Sequence, residues 1–340
     1  MSELAAIVHQ LRSGRGFAHK RDIGQAMSVL ARALPGGEGA MAQAVAVGDD
    51  CAAIPDPAGS GWLLFAIEGF LDDFVQALPW FAGWSGVMVN LSDIAAMGGR
   101  PIAVVDALWA RDGAAAEPVL QGLAAASAAY GVPLVGGHTN ARSARDGLAV
   151  AVLGRANRLL TSFDARPGDR LLMAVDLRGR FEDPHPFWNA TAGAPPARLR
   201  GDLELLPQIA EAGLADAAKD ISNAGALGSL LMLLECSKAG GEIDLDALPR
   251  PACVARGEVP LWRWLHGFPS YGYVLSVRPD RVEAVIQRFA GRGIACADVG
   301  SVTTMPQVWL RQADQRALLW DVAAEPFITA RAPASEAALA

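Results

Sequence analysis

The first 39 residues combine a helical pattern of apolar positions with a basic segment that contains glycine. The apolar residues Leu4, Ile7, Val8 and Leu11 lie one, three or four positions apart. This spacing predicts a short helix. The segment 13–21 follows, with two glycines among arginine, histidine and lysine residues. Glycines in a basic stretch predict irregular backbone. We therefore expect a helix and then a flexible cationic arm within residues 1–39.

The remaining chain alternates strand-like apolar runs with helical stretches, which is typical of an α/β fold. In the first half the pattern predicts strands at 62–68, 101–109 and 147–154 and helices near 84–97 and 114–130. A turn signal at 166–169 opens a second half with predicted strands at 170–177, 272–277 and 297–302. Helices are predicted there at 203–213, 224–239 and 279–292. We expect two α/β domains, 40–157 and 158–325, and a frayed tail at 326–340.

Charge and composition exclude several classes of partner. The chain has 340 residues, of which 52% are hydrophobic, and its formal net charge of -7 argues against nucleic acid or an anionic membrane as a partner. No apolar stretch reaches the ~20 residues of a membrane helix, and the first residues do not resemble a secretion signal. The cysteines form no CxxC pair, which is typical of reduced thiols. We expect a cytoplasmic enzyme with a small-molecule substrate.

Three acidic motifs are the most informative feature of the sequence. They are Gly48-Asp49-Asp50-Cys51-Ala52-Ala53, Asn90-Leu91-Ser92-Asp93-Ile94-Ala95-Ala96-Met97-Gly98-Gly99 and Lys219-Asp220-Ile221-Ser222-Asn223-Ala224-Gly225. Each places a carboxylate at the edge of an apolar run, where a buried acid is costly unless it is paired or bound to metal. Carboxylates about 4 Å apart repel by roughly 4 kcal/mol per pair at an effective dielectric constant of 20. A divalent cation removes that repulsion, and hard oxygen ligands favour magnesium or calcium.

These motifs, together with Gly136-Gly137-His138-Thr139, make the chain similar to the aminoimidazole ribonucleotide (AIR) synthetase, or PurM-like, superfamily. The first two motifs resemble thiamine-monophosphate kinase, whereas the last acidic motif and Gly136–Thr139 resemble selenophosphate synthetase. The arm lacks the reactive cysteine of selenophosphate synthetase, and the kinase usually has Gly-Gly-Asp-Thr at 136–139. The chain thus resembles an AIR-synthase-related branch. The resemblance implies a two-domain PurM-like fold, dimerisation of the N-terminal domain through a shared β-barrel, and Mg-ATP in the cleft between the domains.

The resemblance also implies a set of site residues. It implies magnesium ligands at Asp49, Asp50, Glu68, Asp93 and Asp220. The implied catalytic residues are Asp50, His138 and Asp220. The implied ATP contacts are Gly14, Gly16, His19, Lys20, Asn90, Asp93, Gly137 and Thr139. Relatives usually have aspartate where this chain has Glu68 and Asn223, so the number of bound metals stays open.

The substrate also stays open. Segment 178–189, rich in proline and aromatic residues, is the predicted specificity loop, and the predicted substrate contacts are Arg178, Arg180, Asn223 and Tyr271. We expect an enzyme that uses Mg-ATP to phosphorylate an oxygen of a small nitrogen-containing metabolite, as a ligase or a kinase. The alternatives are a thiamine-monophosphate-type kinase and a catalytically weak nucleotide-binding partner.

The arm, segment 178–189 and His138 each also have a purely structural interpretation. The arm would then be a solvated terminus, and segment 178–189 a packed surface loop. His138 would be a core or turn residue, which is the commoner role of a single histidine.

Overall fold

The computed structural model describes residues 2–33 and 48–329 as a mixed α/β structure. Its α-helices are α1 (Glu3–Ser13), α2 (Arg15–Ala33), α3 (Asp72–Ala77), α4 (Pro79–Ala96), α5 (Gly113–Tyr130), α6 (Pro196–Leu203), α7 (Leu205–Glu211), α8 (Gly225–Cys236), α9 (Ala252–Ala255), α10 (Leu261–Leu265) and α11 (Val282–Ala290). Short 3-10 helices cover Leu245–Ala247 and Pro279–Arg281. Within the described ranges, no helix has the length and apolar character needed to cross a membrane.

The strands form two large sheets and one small one. They are β1 (Ala52–Pro55), β2 (Trp62–Phe70), β3 (Arg100–Trp109), β4 (Leu134–Asn140), β5 (Gly147–Ala156), β6 (Arg170–Val175), β7 (Arg180–Glu182), β8 (Phe187–Asn189), β9 (Ala217–Asp220), β10 (Gly240–Asp244), β11 (Phe268–Pro269), β12 (Gly272–Val277), β13 (Ala295–Thr303), β14 (Gln307–Gln312) and β15 (Gln315–Asp321).

Each large sheet belongs to one half of the chain. The first has the order β1-β2-β5-β3-β4, and the second has the order β15-β14-β10-β13-β6-β12-β9. The chain passes from one sheet to the other between Ala156 and Arg170. The predicted specificity loop contains β7 and β8, which pair as a hairpin and join β11 in the small sheet. That segment is therefore part of a sheet of the second half, and its Phe187 ring also packs on Phe74 of the first half, with ring centroids 5.0 Å apart.

Helices α4 and α5 pack on each other, and α4 covers one face of the first sheet. On β2, Leu64 and Ala66 are buried, whereas Phe65 and Ile67 are exposed, because successive side chains of a strand point to opposite faces. Helix α5 ends at Gly131, whose φ of 72° lies in the left-handed region that favours glycine. The sequence pattern predicted this helix end.

The N-terminal arm differs from the prediction, because residues 15–33 form α2. Phe17 is fully buried, and its ring centroid lies 5.1 Å from that of Phe327 and 6.1 Å from that of Trp320. Burial of this aromatic anchor outweighs the low helix propensity of the neighbouring glycine. The arm is thus packed on the second half of the chain.

The end of the described chain is also more ordered than the predicted tail. The buried Glu235 carboxylate accepts hydrogen bonds from the amides of Phe327 and Ile328 at 2.7 and 2.8 Å, and from the Thr329 hydroxyl at 2.9 Å. These contacts tie 327–329 to α8. The rest of the predicted tail, 330–340, and the end of the predicted arm, 34–39, lie outside the described residues.

Candidate active site

Three aspartates from separate segments meet where α4 of the first half contacts β9 of the second. Asp50 lies just before β1, Asp93 in the last turn of α4, and Asp220 at the end of β9. Each offers a carboxylate oxygen, and these oxygens lie within 4.8 Å of one another. We call Asp50, Asp93 and Asp220 the acid cluster. Its hard oxygen donors fit a divalent cation such as Mg²⁺.

The adjacent residues Asp49 and Asp50 have different surroundings. The Lys219 ammonium donates to one oxygen of Asp50, and the Asp220 amide donates to the other at 3.2 Å. Asp49 instead accepts from the amide and hydroxyl of Ser162 at 2.7 and 2.6 Å, and from the Asp50 amide at 2.9 Å. Asp49 therefore anchors the segment before β1. The structure places it outside the acid cluster, although the sequence suggested it as a metal ligand.

Burial and mutual repulsion control the charges of the acid cluster. Burial raises the pKa of Asp93 well above its usual range, and the neighbouring carboxylates of Asp220 and Asp50 raise it further. Burial and the Asp50 carboxylate raise the pKa of Asp220 to about 7. The Oδ2 atom of Asp93 is buried and has no hydrogen-bond partner among the described residues. Such an orphaned oxygen is costly unless a cation or water binds it.

Helix α2 brings a positive charge to the acid cluster. The Lys20 ammonium lowers the pKa of Asp220, against the larger opposing effect of burial. Glu68 is exposed on β2, where desolvation of its carboxylate raises its pKa and the Lys20 ammonium lowers it. Glycine at position 16 permits this approach, because a Cβ atom there would lie 2.2 Å from the carbonyl oxygen of Asn223. Lys20 and Glu68 are therefore near enough to interact electrostatically with the acid cluster, but Glu68 is not among the carboxylates whose oxygens meet, and its role as a metal ligand stays a prediction.

The other predicted ATP contacts on the arm have neighbours within the protein. A Cβ atom at Gly14 would lie 2.4 Å from Cε1 of His266, so Gly14 also serves close packing. His19 accepts a hydrogen bond from Nε of Arg15 at 3.4 Å. On α4, Asn90 is fully buried and donates to the Gly86 carbonyl at 2.8 Å, while its Oδ1 has no partner among the described residues. Asn90 lies one helical turn before Asp93.

His138 lies away from the acid cluster. It sits on the exposed edge strand β4 together with Gly137 and Thr139. Across the sheet, His138 pairs with Ala107 on β3, Ala107 pairs with Ala149 on β5, and Ala149 pairs with Gly69 on β2, next to Glu68. Three strand spacings amount to roughly 14 Å. Within one chain, the group of carboxylates that converges among the described residues does not include His138.

The predicted substrate residues are mostly engaged in the fold. Two guanidinium nitrogens of Arg178 donate to the buried Asp176 carboxylate at 2.8 and 3.1 Å. The Tyr271 hydroxyl donates to the Asp202 carbonyl at 2.9 Å. Arg180 is largely exposed, 3.3 Å from Glu182. Arg178 and Tyr271 thus stabilise the second half. Arg180 and Asn223 are exposed, and substrate contact by these two residues stays a hypothesis.

Two site residues had no assigned role at the level of sequence. Lys219 stands in the third acidic motif. A lysine that directly precedes an aspartate within an apolar strand could have indicated its role. Ser162 had no signal, because its link to Asp49 spans 113 residues of sequence.

Comparison with known proteins agrees with this fold. Residues 48–156 match the N-terminal domain model of the AIR synthase related proteins, and residues 190–309 match the C-terminal domain model. The uncharacterized protein sll0787 of Synechocystis sp. is 43% identical over 324 residues, which are 95% of this chain and 97% of that protein. A thiamine-monophosphate kinase of Synechococcus elongatus is 28% identical, covering 80% of this chain and 88% of the kinase.

A solved structure extends the likeness to the fold. T. maritima PurL complexed with ATP superposes with a TM-score of 0.73 at 19% identity and covers 97% of this chain. The chain spans about half the length of that protein, 53%. The two halves therefore have the PurM-like two-domain fold that the motifs implied. On the match of both domain models, the chain belongs to the AIR synthase related protein family.

Proposed function

We propose that this protein binds Mg-ATP at the acid cluster and phosphorylates an oxygen of a small nitrogen-containing metabolite, as an AIR-synthase-like ligase or kinase. The observation that carries the proposal is the convergence of Asp50, Asp93 and Asp220. Two ionised carboxylates 4.8 Å apart repel by about 3.5 kcal/mol at an effective dielectric constant of 20. A divalent cation offsets this repulsion, and the orphaned oxygen of Asp93 supplies a ligand for it.

The residues of the chain would divide the work in phosphoryl transfer. A bound Mg²⁺ neutralises charge on the transferred phosphoryl group. Asp93 and Asp220 would hold the ion, and Asp50 would be fixed in place by its own hydrogen bonds. Lys20 on α2 would offer its ammonium group to phosphate oxygens. The structure of T. maritima PurL complexed with ATP supports nucleotide binding by this fold.

Calorimetry of ATP binding tests the proposal. We expect binding in millimolar Mg²⁺ and none in chelator, and we expect Asp93→Asn and Asp220→Asn each to weaken binding at least tenfold, about 1.4 kcal/mol. Asp314→Asn, in the exposed turn between β14 and β15, is the matched control. Equal ATP affinity with and without Mg²⁺ would exclude the metal site. ATP turnover by the purified protein then separates an enzyme from a catalytically weak nucleotide-binding partner.

Thiamine monophosphate is the first acceptor to test. The Synechococcus elongatus relative carries the name of the kinase for that compound. Phosphate release and product mass should be compared for thiamine monophosphate and for a panel of small amides. Transfer to thiamine monophosphate would favour the kinase alternative, whereas turnover with an amide alone would favour a ligase.

We also propose that the protein is a homodimer, in the cytoplasm as predicted, that buries the open face of the first sheet. That face carries large exposed apolar side chains from all five of its strands, including Ile54, Phe65, Ile67, Val105, Val135 and Leu153. A continuous apolar face of this kind is typical of a protein interface. A second copy of the chain is the partner that the family resemblance implies.

A further inference from the structure

Lys219 lies inside the acid cluster as a fixed positive charge. Its side chain is 6% exposed, and its ammonium donates to Asp50. The only other lysines in the sequence are Lys20 and Lys238, and neither is buried. A buried lysine is rare unless it is paired, so this placement calls for an electrostatic explanation.

The hydrogen bonds divide the carboxylates into two groups. Both oxygens of Asp50 have donors, from Lys219 and from the Asp220 amide, and both oxygens of Asp49 have donors as well. Asp93 keeps a buried oxygen that has no partner among the described residues. The demand for a further cation is therefore concentrated at Asp93 and its neighbour Asp220.

The charges lead to the same division. When a bound cation keeps all three carboxylates of the acid cluster ionised, they and the Lys219 ammonium carry a net charge of -2, which a single divalent cation balances. A second divalent cation at Asp50 would have to lie beside the ammonium and would be repelled by it. The Lys219 ammonium thus already supplies a positive charge at Asp50.

We propose that Lys219 is a built-in cation that replaces one metal ion, so that each chain binds one divalent cation, at Asp93 and Asp220. This inference rests on the proposed function and deepens it. Lys219 is a positioning residue here, because it holds Asp50 and sets the metal count without contacting the reacting atoms.

Counting Mn²⁺ tests this inference without any measurement of activity. Free Mn²⁺ can be quantified by electron paramagnetic resonance while the full-length protein is titrated without nucleotide. We expect one tightly bound Mn²⁺ per chain in the wild type, and a second one in Lys219→Met, where the ammonium is removed. Lys219→Arg keeps the charge and should bind one. The exposed Lys238→Met is the matched control and should also bind one.

Thermal unfolding gives an independent readout. In chelator, Lys219→Met should melt well below the wild type, because Asp50 loses its cation, and Mn²⁺ should raise its midpoint more than that of the wild type. Equal Mn²⁺ counts and equal Mn²⁺-induced shifts in the two proteins would overturn the inference. If Lys219→Met does not fold, the count for the wild type decides the matter alone.

The wild-type count also separates the two proposals. Two or more Mn²⁺ ions per chain would overturn the role of Lys219 and leave the proposed function standing. No bound Mn²⁺, with or without a non-hydrolysable ATP analogue, would overturn the proposed function itself.

Discussion

Phe17→Ala tests whether α2 is an integral part of the folded core. Phe17 is 0% exposed, within 5.1 and 6.1 Å of the Phe327 and Trp320 ring centroids. It also approaches α8, because a Cβ atom at Gly228 would lie 3.4 Å from its ring. Truncating a buried phenylalanine removes its transfer free energy and leaves a cavity, so we expect a loss of about 3–5 kcal/mol in the free energy of unfolding.

The loss is large enough for a thermal melt. A change of 4 kcal/mol lowers the midpoint by about 8–16 °C, at roughly 2–4 °C per kcal/mol for a unit of 150–250 residues. Urea unfolding followed by tryptophan fluorescence gives the free energy, and the Trp320 ring beside Phe17 makes the signal sensitive to this region. Ile23→Ala, at a 37% exposed position on the same helix, is the matched control and should cost less than about 1 kcal/mol.

A double-mutant cycle identifies the partner of Phe17. Combining Phe17→Ala with Phe327→Ala should give a coupling energy of about 0.5–1.5 kcal/mol, which is typical of an aromatic pair at this distance. If Phe17→Ala loses no more stability than Ile23→Ala, α2 does not contribute to the core. The packing described for the N-terminus would then be refuted.

Three further predictions concern nucleotide, subunits and the C-terminal segment. Hydrogen exchange of residues 13–21 should slow when Mg-ATP is added, because Lys20 would contact the phosphates. Unchanged exchange would show that α2 does not contact the nucleotide. Ile67→Lys, at a 64% exposed position on β2, should convert a dimer to monomers in light scattering, and a wild type that is already monomeric would contradict the dimer. Glu235→Ala removes three hydrogen bonds and should cost about 3 kcal/mol and expose 327–329 to proteolysis, whereas the exposed Glu283→Ala should do neither.

The sequence by itself determined the regular elements with long periodic patterns. The predicted strand 101–109 became β3, and the helix 114–130 became α5 with its stop at Gly131, because several repeats of one period leave little ambiguity. Short strands such as β9, with four residues, were not predicted, because so few positions show no period. Phe17 was missed for a different reason. Its basic, glycine-containing neighbours dominate the local pattern, and its apolar partners lie some 300 residues away.

For the site, the sequence indicated a set of candidate acids, and the tertiary structure decided which of them lie together. Acids at the edge of an apolar run are costly when buried, and this cost made Asp93 and Asp220 conspicuous in the sequence. The contact between Lys219 and Asp50 spans 169 residues, so no local pattern could reveal it. The same holds for the separation of Asp49 from the acid cluster by Ser162, and for the roughly 14 Å between His138 and the β2 strand of Glu68. Residue chemistry is local, but the distances that turn it into a site depend on how the two sheets and α4 pack together.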